Sequence, residues 1–274
     1  MREATSLQLQ APAKVNLHLA VGQPRADGYH PISSIFQKID LKDTISLEIL
    51  PNEEAKTLVT GLEDYVEKGK STVDKSIELW REFTGNKATI LANVTKNIPV
   101  QSGLGGGSSD AASVLSALNY AAKDTSACLS EKELMKLGME VGCDVPFFLT
   151  ACDAATVFGL GEIVYPMEPR TDLRGYIILP KQEKMSTKAA YEALNNRKVI
   201  QLLERREFLE EEYKKPITEW NFRNDFELVN KKPDIEVLPD ERLFLTGSGS
   251  AWILLTNRQN LKTTQDYILQ KILL

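Results

Sequence analysis

Cysteine is scarce in this sequence, and its positions suit neither a metal site nor a disulfide framework. The 274 residues include three cysteines, Cys128, Cys143 and Cys152. Their separations do not match the paired spacing of cysteine metal ligands. An odd number of cysteines is also more typical of a reducing compartment than of a disulfide-stabilised secreted domain.

Long apolar runs and an excess of positive charge are missing as well. No stretch approaches the length of a membrane-spanning helix, and residues 1–16 lack the apolar segment of a signal peptide. The formal net charge is −5, whereas nucleic-acid-binding proteins usually carry a basic excess. We therefore expect a cytoplasmic protein that binds neither a membrane nor nucleic acid.

What the sequence does contain is a mixture of strand and helix patterns, over a length that suits one large domain or two modest ones. Apolar residues at helical spacing predict a helix from Val73 to a terminating Gly85. We expect an α+β fold with domains at 1–158 and 159–274. Further helices are predicted at 131–142, 187–196 and the C-terminus, and strands within 7–22, 44–50, 88–100, 154–167, 173–180 and 242–257.

The stretch "PVQSGLGGGSSDAASVLSALN", from Pro99 to Asn119, has four glycines within five positions, directly before a helical pattern. A flexible linker is one interpretation. The other is a phosphate site, because glycine lets backbone N–H groups approach an anion and a helix N-terminus favours negative charge. Ser108 or Ser109 is the expected N-cap, with Asp110 in the first turn. The expected apolar stripe of the helix comprises Ala111, Val114, Leu115, Leu118 and Ala122.

Three common nucleotide-binding motifs do not match. "GKST" at Gly69–Thr72 has Asp64 where a Walker A loop requires glycine, so we interpret it as a turn into the following helix. A dinucleotide fingerprint that starts at Gly103 has Ser108 in place of its last glycine. The "HRD" and "DFG" signatures of protein kinases are absent.

The remaining pattern, Pro-x-x-x-Gly-Leu-Gly-Gly-Gly-Ser-Ser, resembles the phosphate-binding motif of the GHMP kinases, the galactose, homoserine, mevalonate and phosphomevalonate kinases. Three more segments resemble motifs of this family, in family order: "APAKVNLHLAVGQPRADGYHPISSIFQ" (11–37), "GCDVPFFL" (142–149) and "LTGSGSA" (245–251). The resemblance implies a two-domain fold, with an N-terminal domain like ribosomal protein S5 and a C-terminal ferredoxin-like domain.

The resemblance also implies an activity and the residues that carry it. It implies an ATP-dependent phosphotransferase that uses Mg²⁺, with Lys14 and Asp144 as the catalytic pair and no protein ligand assigned to the ion. Ser71 stands where relatives tend to have asparagine, which leaves details of the adenine pocket open. The implied ATP-binding residues are Lys96, Pro99, Gly103, Leu104, Gly105, Gly106, Gly107, Ser108 and Ser109; a solvated surface lysine is the alternative for Lys96.

The "ADGYH" segment implies an acceptor with a cytidine diphosphate group. The expected reaction is phosphorylation of the 2-hydroxyl of 4-diphosphocytidyl-2-C-methyl-D-erythritol, in the non-mevalonate route to isoprenoid precursors, by a monomer or homodimer. The alternatives are another small-molecule kinase of the family, such as a mevalonate or homoserine kinase, and a nucleotide-binding regulatory protein. The implied acceptor-binding residues are Asn16, Tyr29, His30, Thr187, Tyr191, Gly247 and Ser248.

Overall fold

The computed structural model describes residues 4–52, 54–181, 185–197, 202–261 and 266–274. No helix in these ranges combines the length and the apolar character that crossing a membrane requires. The strands are β1 (Thr5–Val21), β2 (Ile32–Leu50), β3 (Thr57–Thr60), β4 (Thr89–Thr95), β5 (Ala154–Gly159), β6 (Ile163–Met167), β7 (Arg174–Pro180), β8 (Arg242–Leu245), β9 (Trp252–Leu255) and β10 (Tyr267–Leu273). The helices are α1 (Thr72–Thr84), α2 (Gly106–Ala121), α3 (Glu131–Val141), α4 (Val145–Leu149), α5 (Thr187–Asn196) and α6 (Arg206–Tyr213).

The chain forms two compact units, each assembled from separate stretches of sequence. Unit 1 contains the described residues of Met1–Ala13, Leu41–Val100 and Gly106–Ala151. Unit 2 contains those of Lys14–Asp40, Gln101–Gly105 and Cys152–Leu274. The expected boundary between residues 158 and 159 stays a prediction.

Unit 1 packs four helices and a short sheet around one apolar core. The later part of β2 pairs antiparallel with β4, from Thr44 opposite Thr95 to Leu50 opposite Thr89, and β3 runs parallel to β4. Alternation along these strands buries one face, as the sequence pattern predicts. Helix α1 packs on α2 and α3, and α4 on α2 and α3. The core includes Ile45, Leu47, Ile49, Ile77, Trp80, Ile90, Val114, Leu115 and Leu118.

Unit 2 contains a four-stranded antiparallel sheet in the order β10-β7-β9-β8. Strands β8 and β9 form a hairpin, with Leu245 opposite Trp252, and the turn between them is the predicted "TGSGSA" segment. Residues 32–37 of β2 pair with β5, which pairs in turn with β6. Helix α5 packs against a 3₁₀ turn at Asp225–Leu228.

Most predicted elements are confirmed. Helix α1 ends at Gly85, which has φ +68° and closes the helix as a left-handed C-cap. Ser71 caps its start, with reciprocal hydrogen bonds to Asp74. The predicted stripe of α2 is buried as expected. The predicted helices at 131–142 and 187–196 correspond to α3 and α5.

Two local predictions are wrong. The C-terminal segment is strand β10 rather than a helix, because Tyr267–Leu273 pairs in register with β7 and buries Ile272. A short apolar run does not distinguish helix from strand without knowledge of its partner. Helix α2 begins at Gly106, so Ser108 and Ser109 lie inside it rather than at its cap. The turn is made by Gly103 and Gly105, which have positive φ, and the helix starts directly after them.

Candidate functional site

Lys14 and Asn16, two predicted site residues of β1, are joined by a buried hydrogen-bond network in unit 2. Each side chain is 2% exposed, and the Lys14 Nζ donates to Asn16 Oδ1 at 2.5 Å. Asn16 Oδ1 also accepts the N–H of Gly247, at 3.1 Å. The network continues through two hydroxyls that sequence reasoning did not find, Ser34 Oγ and Thr246 Oγ1, at 3.0 and 2.9 Å. These hydrogen bonds therefore hold the Lys14 ammonium in one position.

The first part of the glycine stretch lies beside this network, also in unit 2. Leu104 accepts the Lys14 N–H through its carbonyl oxygen at 2.9 Å. Gly103 has φ +83°, and a Cβ there would lie 2.3 Å from the carbonyl oxygen of Thr246. Gly247 also lies close to Gly103, since a Cβ on Gly247 would be 2.8 Å from the Gly103 Cα. These backbones meet only because both positions lack a side chain.

The second part of the glycine stretch forms the first turn of α2, in unit 1. A Cβ on Gly106 would lie 3.0 Å from the Ile98 side chain, and the Thr72 hydroxyl donates to the Gly107 carbonyl at 2.6 Å. The Ser109 hydroxyl is buried and has no hydrogen-bond partner among the described residues. The leading N–H groups of a helix lack intrahelical acceptors, so this turn suits a phosphate group.

The side chain of Lys96 is only 7% exposed, so the surface-lysine alternative is wrong. Its Nζ donates to Asp110 Oδ2 at 2.8 Å and to Asp43 Oδ2. Burial alone would lower the pKa of Lys96, but the two carboxylates outweigh it and raise that pKa. Burial, together with the Asp43 carboxylate, raises the pKa of Asp110 to about 7. Asp110 is therefore part of a buried charge cluster, not the first-turn acid that the sequence suggested.

Asp144 lies in unit 1, at the start of the five-residue helix α4. It is partly exposed and has helical backbone angles, with Pro146 two positions later. Proline suits the first turn of a helix, because the N–H it lacks has no partner there. Pro99 precedes the glycine stretch in the same unit. The pairing of Asp144 with Lys14 stays a prediction.

Two further contacts, besides that of Asn16 with Gly247, join expected acceptor-binding residues of unit 2. His30 and Tyr191 have ring centroids 5.1 Å apart, and the Tyr191 ring also contacts Phe226 edge to face, with a centroid distance of 4.8 Å. Thr187 Oγ1 lies 3.0 Å from Ser248 Oγ. Tyr29 precedes His30 but leaves 58% of its surface exposed. Sequence reasoning missed Phe226 and also Asn224, whose Nδ2 donates to the carbonyls of Leu245 and Gly247.

The His30 hydrogen bond identifies the tautomer of its ring. Nδ1 lies 2.8 Å from the carbonyl oxygen of Gly22. A carbonyl only accepts hydrogen bonds, so Nδ1 carries the proton, and in the neutral ring Nε2 is the acceptor.

Among the residues that the structure describes, no cluster of three or more His, Cys, Asp or Glu could hold a metal ion.

Comparison with known proteins finds a matching family model and a similar solved structure. The family model for the GHMP kinases N terminal domain matches residues 71–151, which include α1 to α4 and the whole glycine stretch. A crystal structure of 4-(cytidine 5'-diphospho)-2C-methyl-D-erythritol kinase is similar, with a TM-score of 0.64 and 25% identity. That match covers 92% of this chain and 90% of the other.

Relatives by sequence carry the name 4-diphosphocytidyl-2-C-methyl-D-erythritol kinase. The protein of Ruthia magnifica is 42% identical over 158 residues, 58% of this chain and 53% of that protein. The protein of Caldicellulosiruptor bescii is 39% identical over 194 residues, 70% of this chain and 65% of that protein. The chain thus spans between half and two thirds of the length of these relatives. Together, the matched domain and the shared fold show that this chain contains a GHMP kinases N terminal domain and has the fold of these kinases.

Proposed function

We propose that this protein transfers the γ-phosphoryl group of ATP to the 2-hydroxyl of 4-diphosphocytidyl-2-C-methyl-D-erythritol. The observation that carries the proposal is the name shared by relatives that are 39–42% identical over 158–194 residues. In the isoprenoid precursor route that this substrate implies, the product would be the corresponding 2-phosphate. The glycine stretch, buried Lys14 and the His30–Tyr191 pair are consistent with this assignment.

Phosphoryl transfer depends on positioning and on charge stabilisation. The first turn of α2 offers backbone N–H groups and the buried Ser109 hydroxyl to the ATP phosphates. Bound Mg²⁺ would neutralise charge on the phosphate oxygens. Asp144 accepts or orients the proton of the attacking hydroxyl, and Lys14 offsets negative charge on the transferred phosphoryl group. Asn16 holds the Lys14 ammonium in place through their hydrogen bond.

The protein recognises the phosphoryl-accepting substrate through its cytosine base. Cytosine and uracil have the same ring shape, so ring stacking does not distinguish them. Cytosine has an amino donor where uracil has a carbonyl acceptor. With Nδ1 bonded to Gly22, the neutral His30 ring has an acceptor at Nε2, which is complementary to that amino group. Uracil in this position would leave the buried Nε2 of His30 without a hydrogen-bond donor, at a cost of about 1–3 kcal/mol.

The direct test is a coupled assay of ADP release with a panel of alcohols. The panel comprises 4-diphosphocytidyl-2-C-methyl-D-erythritol, mevalonate and homoserine. We expect turnover with the cytidine compound and little with the other two. Faster turnover of mevalonate or homoserine would favour another small-molecule kinase. ATP binding without turnover of any alcohol would favour a regulatory protein.

Inhibition by nucleotides tests the base specificity separately. CMP should compete with the acceptor more strongly than UMP in the parent enzyme. His30→Ala should raise the KM for the acceptor and reduce the preference for CMP, while the KM for ATP stays nearly unchanged. Equal inhibition of the parent enzyme by both nucleotides would reject the cytidine site.

A further inference from the structure

Asp43 is an acidic residue in the apolar register of a strand. In "LKDTISLEIL" the buried positions alternate, and Asp43 occupies one of them between Leu41 and Ile45. Its side chain is fully buried, and one oxygen, Oδ1, accepts the N–H groups of Asn97 and Ile98 at 2.6 and 2.8 Å. The carboxylate therefore binds the backbone that follows β4, directly before the glycine stretch.

The other oxygen of Asp43 accepts a hydrogen bond from Lys96. The same ammonium bonds Asp110 on α2, at 2.8 Å. It also lies over the first residue of that helix, since a Cβ on Gly106 would be 3.2 Å from Nζ. A chain of contacts thus runs from β2 through Lys96 to the helix turn that is proposed to bind phosphate, all of it within unit 1.

Electrostatic attraction between the Lys96 ammonium and its acidic partners holds this chain of contacts together. One ammonium serves two buried carboxylates, and the second oxygen of Asp110 has no partner among the described residues. If Lys96 moved away, the buried Asp43 carboxylate would lose its counter-charge and Asp110 would lose its hydrogen-bond partner, which is strongly unfavourable. Lys96 is therefore held at the start of α2.

We propose that Asp43 is a positioning residue for ATP: through Lys96 it holds the first turn of α2 in the arrangement that binds the nucleotide. The inference rests on the proposed function. Asp43 itself contacts Lys96 and the backbone of residues 97 and 98, so its effect on the nucleotide is indirect. No motif in the sequence marks this residue.

Asp43→Asn isolates the contact with Lys96. The asparagine oxygen still accepts both backbone N–H groups, whereas its NH₂ group cannot accept from an ammonium. We expect the Kd for ATP, measured by calorimetry, to rise about tenfold, the scale of one lost hydrogen bond to a charged group. The KM for the acceptor should change less than about twofold, a split that a general loss of stability would not produce. Glu48→Gln, an exposed position on the same strand, is the matched control and should change neither value.

A second variant keeps the inference testable if Asp43→Asn does not fold. Asp110→Asn changes the other partner of Lys96 and should also weaken ATP binding while sparing the acceptor. Unchanged ATP affinity in the folded variants, with a parent protein that binds ATP, would overturn the positioning role alone. A parent protein that does not bind ATP would instead contradict the proposed function.

Discussion

Lys14 and Asp144 are the two residues on which the proposed chemistry depends, and their settings differ. Lys14 is almost fully buried, with its ammonium bonded to Asn16 and 4.3 Å from the centre of the Phe36 ring. Asp144 is partly exposed at the start of a short helix. A general base has to reach its substrate, whereas an electrostatic stabiliser gains from a fixed, desolvated position.

Asp144→Asn should lower kcat by about 100-fold or more, because an amide neither accepts the hydroxyl proton nor carries the charge that orients it. Calorimetry should show ATP affinity close to that of the parent enzyme. Asp124→Asn, at an exposed position in the same unit, is the control and should leave kcat unchanged. A kcat within a few fold of the parent value would remove Asp144 from the mechanism.

The raised pKa of Asp110 predicts a pH dependence of stability. The folded protein holds this proton up to about pH 7, whereas an ordinary aspartic acid loses it near 3.8. The folded state thus binds more protons than the unfolded state between these values, so the contribution of Asp110 to the free energy of unfolding falls as pH rises. Relative to the parent protein, Asp110→Asn should become progressively more stable from about pH 4 to about pH 7 and level off above that.

Urea denaturation of both proteins across this pH range measures the difference. Asp124→Asn should follow the parent curve at every pH, since its side chain is exposed. Parallel curves for Asp110→Asn and the parent would show that the Asp110 carboxyl titrates normally.

The family motifs indicated candidate residues for the site, but not the partners of those residues. Asp43 is 53 positions from Lys96 and Thr246 is 230 positions from Asn16 in the chain, so only the folded structure brings them together. A signal for Asp43 was nevertheless present. An aspartate in the apolar register of an alternating strand has to find buried partners, because burial of an unpaired carboxylate is costly.

The glycine stretch combines two elements that serve different units. Gln101–Gly105 belongs to unit 2 and makes a turn with positive φ at Gly103 and Gly105, whereas α2 belongs to unit 1. The sequence predicted the helix and its apolar stripe, because both depend on local spacing. It misplaced the start of the helix, because helix starts are usually marked by a capping side chain, and here glycine backbone conformations set the position.

Gly103→Ala should destabilise the protein more than positive φ alone explains. The added Cβ would lie 2.3 Å from the Thr246 carbonyl oxygen, so the backbone of the loop or of the β8–β9 turn has to move. We expect a loss of about 2–4 kcal/mol in the free energy of unfolding by urea. Gly69→Ala is the matched control, with φ +80° and no atom near the new Cβ, and should lose only about 1 kcal/mol. Equal losses would mean that the contact between Gly103 and Thr246 is looser than described.

Both units are discontinuous in sequence, which single-sequence reasoning did not predict. The chain passes between them after Ala13, Asp40, Val100, Gly105 and Ala151. Strand β2 contributes to both, since residues 32–37 pair with β5 and residues 44–50 pair with β4. Pattern analysis detects elements along the chain, but it does not reveal that one long strand has different partners at its two ends.

Fragments 1–151 and 159–274, expressed separately, should therefore differ in whether they unfold cooperatively. Fragment 1–151 contains every stretch of unit 1 and should retain a cooperative unfolding transition, whereas fragment 159–274 lacks the partners that residues 14–40 supply to unit 2. Circular dichroism during urea denaturation should show no cooperative transition for the second fragment. A cooperative transition of fragment 159–274 alone would support an independent domain that starts at residue 159.

The order of these stretches along the chain also determines which unit can fold first during synthesis on the ribosome. Unit 1 is complete once Ala151 has been synthesised, whereas Lys14–Asp40 has to wait for the large part of unit 2 that begins at Cys152. The segment from Lys14 to Val21, buried throughout in the folded protein, is thus exposed on the nascent chain. At ordinary translation rates the remaining residues take roughly ten seconds to add. We expect a nascent-chain chaperone to bind this apolar segment, and slower translation beyond residue 151 to increase aggregation of the nascent chain.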